Sequence, residues 1–332
     1  MPNVDIVVAY IGYNMFKEYF KFVKNQYPTI SMLGLPYFLL SNLIFIFERS
    51  GQHILTDKLY EIKHQKIEDW LHKRLSSLLS LFNNETDEEY DSFDSSRDIY
   101  ICWFQGYDNA PDIVKLCINS VVKNNPDRKV HIISDENLQE YIEGIPAFIL
   151  DKYEKGVITR QTFTDILRSY LLYRRGGVWC DATVFMSQSL KQEIDNYSFY
   201  SIHGDVISLK FVSKRRWTGY FLSVRKGDIV MRFLYESFCS YYAQYDKLLD
   251  YWLIDAIINY GYNRVPRIKR IIDQIPLNNA DVSLLYPILN KKYDEEYFNK
   301  LSLDTYIFKL DWRIEINNKN DSYYAFLSKK YL

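Results

Sequence analysis

The sequence predicts an α/β protein, with a largely parallel sheet flanked by helices and an N-terminal helical segment in front of it. Three observations predict this. From residue 97 onward, short apolar runs alternate with segments of helical rhythm. Residues 1–82 carry helical periodicity without strand-like alternation. Between the two lies NNETDEEYDSFDSS (83–96), an acidic stretch almost free of aliphatic residues.

The N-terminal part is justified by residues 56–81, where Leu59, Ile62, Ile67, Leu71, Leu75, Leu78 and Leu79 recur among Lys, Glu and His. An apolar run at 31–47 is interrupted by Gly34, Pro36, Ser41 and Asn42 and is short for a membrane span, which leaves spanning as the lesser alternative. It reads as a buried helix or one lying at a membrane surface. No basic region followed by a short apolar core and a cleavage site marks a secretory signal. The acidic stretch reads as an exposed linker, which divides the chain into 1–82, 83–96 and 97–332.

Within 97–332, the run Tyr100-Ile101-Cys102-Trp103-Phe104 is a buried strand, followed by a helix over 112–123 and a strand over 130–133. A helix opens at Ser134 or Asp135. Another spans 160–174, is broken by Gly176-Gly177, and gives way to a strand at Val178-Trp179-Cys180. Further strands fall within 199–211 and 220–224, and further helices over 228–242 and 248–259.

The composition narrows the function. With 41 Lys and Arg against 42 Asp and Glu in 332 residues, the chain has no electrostatic case for nucleic acid. Thirty Tyr and 20 Phe suit sugar-ring binding, although codon bias accounts for them equally well. Cys102, Cys117, Cys180 and Cys239 show no paired or metal-type spacing, which indicates a reducing compartment and a cytoplasmic protein. His53, His64, His72, His131 and His203 are scattered without ligand spacing.

The densest chemistry lies in FTDILRSYLLYRRGGVWCDATVF (163–185). A helix here buries Phe163, Ile166, Leu167, Tyr170 and Leu171 on one stripe. Asp165 and Arg168, three apart, are neighbours on the other face, where Leu172 shows that the surface is covered. The plainer alternative is an exposed ion pair. After the two glycines and a brief strand comes Asp181, placed where open α/β sheets bind ligands, or else a simple turn residue. The glycines precede a strand rather than open a helix, which argues against a dinucleotide fingerprint. Downstream, Asp250 and Asp255 flank Tyr251-Trp252-Leu253-Ile254, with helix capping as the alternative to a site role.

The order D-I-L-R followed by Y-R-R-G-G-V-W-C-D-A-T resembles the capsular polysaccharide synthesis glycosyltransferases related to glycosyltransferase family 32. The resemblance takes in Ile101 to Gly106, Asn109-Ala110-Pro111, Ser120 and Ser134-Asp135-Glu136-Asn137. It continues more weakly through 217–228 and 305–310, and covers roughly 97–312. It implies a GT-A-like nucleotide-sugar-binding sheet and a retaining transfer of a hexose-type sugar, expected from a UDP-sugar. The acceptor would be a growing surface polysaccharide or a lipid-linked oligosaccharide. Trp103 would stack on the nucleobase, Asp165 and Arg168 would hold the sugar hydroxyls and phosphates, and Asp255 would lie near the sugar. Gly106, Gly177 and Trp312 would line the donor site. Asp181 would be the first carboxylate of a D-x-D-type motif carrying Mn2+ or Mg2+.

Thr183 stands where that motif has its second carboxylate. It would be a weaker ligand, with Asp311 as the substitute and Lys309 as a point charge against the diphosphate; the alternative for both is an ordinary surface residue. No pair of carboxylates argues for double displacement, so front-face attack is the expected course. Peripheral contact with the inner face of the membrane through residues 1–82 follows from the apolar run and its basic neighbours Lys17, Lys21 and Lys24. Two rival readings are a metal-dependent nucleotide-sugar phosphodiesterase or pyrophosphatase, and a non-catalytic sugar-nucleotide-binding module.

Overall fold

A computed structural model of the chain describes residues 4–49, 53–84, 96–206, 208–317 and 320–332, so most of the acidic stretch lies outside the described residues. Seven strands are described: β1 (Ile99–Cys102), β2 (Val130–Ile133), β3 (Gly177–Cys180), β4 (Val184–Met186), β5 (Phe199–Ser201), β6 (Phe221–Val224) and β7 (Ile307–Lys309). Five of them form a central sheet in the order β2-β1-β3-β6-β5. β1 runs parallel to β2 and β3, whereas β6 runs antiparallel to β3 and β5. The sheet is therefore mixed rather than largely parallel. No long helix lies between β5 and β6 to carry the chain back for a parallel crossover, so the loop that joins them returns antiparallel. Of the strand expected within 199–211, three residues pair and the remainder is loop. The helix expected at Ser134 is a single short turn at Leu138–Tyr141.

The helices on the sheet follow the sequence more closely. α3 (Asp112–Asn124) and α5 (Arg160–Arg175), with the short α4 (Ala147–Glu154) between them, start where their patterns begin. The hydroxyl of Thr159 caps α5 by accepting from the Thr162 N–H at 3.2 Å. α6 (Ile229–Gln244) is capped by Asp228, whose carboxylate accepts from the Met231 N–H at 2.9 Å. α7 (Leu253–Arg264) begins five residues later than its pattern suggested.

Residues Val4–Arg49 (α1) are helical on either side of a break at Gly34, where φ is 78° and ψ 178°. α2 (His53–Asn84) packs back on it and against α6 and α7. Ile67, Trp70, Leu71, Leu75 and Phe82 of α2 are buried in the same core as the sheet, so this segment shares an interior with the rest of the chain. α1 is two-sided. Tyr37, Leu40, Ser41 and Ile44 are buried, while Leu35, Leu39, Leu43 and Ile46 are exposed along the opposite stripe.

A second sheet was not legible in the sequence. β4 pairs antiparallel with β7, setting Val184 opposite Lys309. This ribbon lies over a smaller core that includes Phe185, Leu285, Phe298, Phe308 and Tyr331.

Candidate functional site

Three chain segments leave the sheet on one edge. β1 ends into Trp103 and β3 ends into Asp181, while the residues leading into antiparallel β6, Gly219 and Tyr220, arrive at the same edge because Phe221 pairs with Cys180. The Asp181 N–H donates to the Tyr220 carbonyl at 2.9 Å, which ties two of these segments together. The cleft above them encloses about 640 Å³ and is closed from the far side by the β4–β7 ribbon. Ligand sites collect at such carboxyl ends because loops of independent sequence converge there.

Arg168 occupies the middle of the cleft floor. Its side chain is only 7% exposed, and Nη2 lies 3.4 Å from Asp165 and 3.3 Å from Asp181. Nη1 donates to the Gly219 carbonyl, and the guanidinium lies 5.0 Å from the centre of the Trp179 ring. Its Nε is buried without a hydrogen-bond partner among the described residues. A guanidinium shared between two carboxylates and a carbonyl is a fixed clamp, so the exposed-pair alternative does not describe it.

Burial raises the Asp165 carboxyl to about 7; Arg168 opposes that rise, while Asp181 and Asp255 add to it. Burial likewise raises Asp255 to about 6, against the hydrogen bond that Trp217 Nε1 donates to its Oδ1 at 2.8 Å. Two carboxyls displaced toward neutrality beside a buried Arg are a pattern shared by functional sites and structural ion-pair networks.

The opposite wall is cationic and aromatic. Lys309 donates to the Thr183 hydroxyl and lies 4.0 Å from Asp181 Oδ2. Asp311 follows in a turn where the Arg313 N–H donates to its Oδ1 at 3.0 Å. Trp312 meets Trp103 edge-on, with ring centres 6.0 Å apart, and Trp103 Nε1 is buried without a hydrogen-bond partner among the described residues.

A model of the family described as capsular polysaccharide synthesis protein matches residues 50–327. The chain belongs to that family. The match takes in the whole of α2 along with the sheet. Among curated relatives, the O-glycosyltransferase braB of Annulohypoxylon truncatum is 26% identical over 153 residues; the alignment spans 42% of this chain and 36% of that protein. Among solved structures, the PaToxG glycosyltransferase aligns with a TM-score of 0.36 and 14% identity, over 74% of this chain and 99% of that one.

In this chain Trp103, Asp165, Arg168, Asp181, Thr183, Asp255, Lys309, Asp311 and Trp312 all line the one cleft. Two expected residues do not. Gly177 lies at the opposite end of β3 from Asp181, with φ at 99° and space for a Cβ blocked by the Asp98 carbonyl at 2.6 Å. Its role is to let β3 pass close to the chain entering β1. Gly106, with φ at 80°, forms the turn after Trp103 and is not among the lining residues. Sequence reasoning missed Gln161, Thr164, Tyr220, Tyr251, Trp252, Tyr286 and Arg313 as lining residues. Of these, Tyr251-Trp252 carried a signal, adjacent aromatics between two acids.

Proposed function

We propose that the chain is a glycosyltransferase that moves a sugar from a nucleotide-diphosphate sugar, expected to be a UDP-sugar, to a glycan or lipid-linked acceptor in surface-polysaccharide synthesis. The observation that carries this reading is Arg168 held between Asp165 and Asp181 on the floor of a cleft whose far wall presents Lys309. Departure of a nucleoside diphosphate builds negative charge on phosphate oxygens, and preorganised cations in a dry site stabilise it. Arg168 and Lys309 supply that charge, and the Trp103 ring offers a face to the base. In this reading Asp165 and Asp255 accept hydrogen bonds from sugar hydroxyls.

In a retaining, front-face course, the bond from the anomeric carbon to the diphosphate oxygen breaks. The acceptor oxygen bonds the same face, and its proton passes to the departing diphosphate. A divalent cation, Mn2+ or Mg2+, would be held by Asp181 and Asp311 with the diphosphate supplying further oxygens, since such ions commonly bind through one or two carboxylates plus phosphates; among the described residues no cluster of three His, Cys, Asp or Glu side chains offers a complete site by itself. When bound, it would add charge neutralisation at the leaving group. The Thr183 hydroxyl is engaged by Lys309, which leaves Asp181 and Asp311 as the anionic ligands on offer.

The apolar stripe of α1 supports attachment to the cytoplasmic face of a membrane. The segment Thr29–Arg49 is long and apolar enough to cross one, with a mean hydropathy of 1.9 and 22% of that window buried. The Gly34 break and the burial of Tyr37 and Ile44 against the protein favour a helix lying in the interface.

Incubating the full chain with UDP-, GDP- and CMP-sugars, with Mg2+ or Mn2+, tests the catalytic reading. Metal-stimulated release of a nucleoside diphosphate, slow alone and faster with a glycan acceptor, is expected. Release of a nucleoside monophosphate would indicate a pyrophosphatase instead, and binding without turnover of any donor would indicate a binding module.

A further inference from the structure

The turn before α7 places two adjacent aromatic rings at the rim of the cleft. Tyr251 is 59% exposed and Trp252 44% exposed, unusual for rings of this size, and they meet edge-on at 4.8 Å. Three cavities converge on them. Both line the main cleft beside Asp165 and Asp255. Tyr251 also lines a mainly apolar pocket of about 340 Å³ with Gln161, Leu248 and Leu253. Trp252 lines a third pocket, of about 80 Å³, shared with Lys63, His64 and Phe211 and closed by α2. Phe211 packs edge-on against Trp252 at 5.6 Å.

The rings are exposed, but the backbone beneath them is fixed. Asp250 is buried and its Oδ1 accepts from the Trp252 N–H at 3.0 Å, which sets the turn. Its Oδ2 receives the Lys63 ammonium of α2 at 3.0 Å and the Tyr37 hydroxyl of α1 at 3.1 Å. Burial alone would raise this carboxyl, yet Lys63 and the Trp252 N–H hold it below the ordinary carboxylate value. The N-terminal helices thus grip the turn from behind through a charged anchor.

We infer that Tyr251 and Trp252 form the acceptor subsite, two perpendicular rings of which one stacks on a saccharide ring while the other bounds it, and that Lys63 and Tyr37 are positioning residues that hold them at the cleft mouth through Asp250. The inference rests on the glycosyltransferase reading for the role of the cleft. Sugar rings present C–H faces to aromatic faces and hydroxyl edges to carboxylates and amides. Here the aromatic faces stand directly beside Asp255, Asp165 and Gln161. A ring stacked there keeps one edge toward the donor side of the cleft, and the two side pockets leave room for substituents or for a second residue of the glycan.

The test is binding of the full chain to an array of bacterial surface glycans, without any nucleotide sugar. Wild type is expected to bind at least one glycan class, and Tyr251→Ala with Trp252→Ala to weaken it at least tenfold. Lys63→Met is expected to weaken it at least fivefold and Lys63→Arg to restore it, whereas a merely structural loss would follow melting temperature instead. Tyr37→Phe, which removes one hydroxyl, keeps the anchor testable should Lys63→Met not fold; it is expected to weaken binding about twofold to fivefold. Wild type that binds no glycan, or aromatic variants that bind as wild type does, would overturn the subsite. Glycan binding with no turnover of any nucleotide sugar would instead remove the catalytic reading and leave the platform standing.

Discussion

Trp179 and Asp181 stand two residues apart where β3 leaves the sheet, and the indole Nε1 of the first donates to Oδ1 of the second at 2.9 Å. The Trp179 ring is fully buried, so a rigid group fixes the direction of a carboxylate that faces the cleft. The same oxygen meets Arg168 at 3.3 Å, and the other lies 4.0 Å from Lys309. Asp181 is therefore held in one orientation by the core while it lines the cleft.

That arrangement makes Asp181→Asn a clean substitution. The amide oxygen still accepts from Trp179, so melting temperature should stay within a few degrees of wild type. Loss of the charge should lower transfer by about a hundredfold or more, the scale seen when one electrostatic group is removed from a catalytic site. Near-normal turnover in a folded Asp181→Asn protein would place the chemistry elsewhere.

Arg168 is the centre of the clamp, and its two functions separate by substitution. Arg168→Ala leaves buried Asp165 without its cation and should cost about 3 kcal/mol of stability as well as turnover. Arg168→Lys keeps the charge but cannot bridge Asp165, Asp181 and the Gly219 carbonyl together. It should lose turnover by at least tenfold with a smaller drop in melting temperature. Wild-type kinetics for Arg168→Lys would show that charge alone suffices.

Stability should fall as pH rises from about 5 to 7.5. Asp165 and Asp228 are raised to about 7 and Asp255 to about 6, each chiefly by burial. The folded chain therefore keeps protons that the unfolded chain has already released, and their contribution is lost as pH climbs through the folded values. Burial lowers the pKa of His64, which works in the opposite direction, so the decisive quantity is the difference between proteins. Calorimetry of Asp165→Asn should show a flatter melting temperature across this range than wild type; parallel curves would mean that Asp165 has an ordinary carboxyl.

The α1 stripe predicts lipid binding that substitutions can remove without unfolding. Leu39→Glu with Leu43→Glu changes only exposed positions, whereas deleting residues 1–82 would strip Trp70, Leu71 and Phe82 from the core. Wild type should co-sediment with vesicles containing anionic phospholipid, and the double variant should lose at least three-quarters of that binding. Equal sedimentation of the two proteins, or none by wild type, would assign the stripe to something other than a lipid surface.

How much of this was legible beforehand depends on the range of each signal. Local patterns determined α3, α5, β1, β2 and β3, because capping, helical stripes and glycine breaks act over a few residues. They also brought out Asp165, Arg168 and Asp181, since those three lie within 17 residues across a single helix–strand unit. The reversal of β6 and the β4–β7 pairing were not legible, because strand direction and partner are set by long-range packing rather than by composition. Tertiary structure decided that Lys309 and Asp311 line one cleft with Asp181 from more than 120 positions away, and that Gly177 serves β3 rather than the cleft. It also decided that Asp250 is anchored by two helices lying some 190 to 210 residues earlier in the chain. A buried carboxylate needs a cation from wherever the fold can supply one, and nothing in the sequence around Asp250 names Lys63.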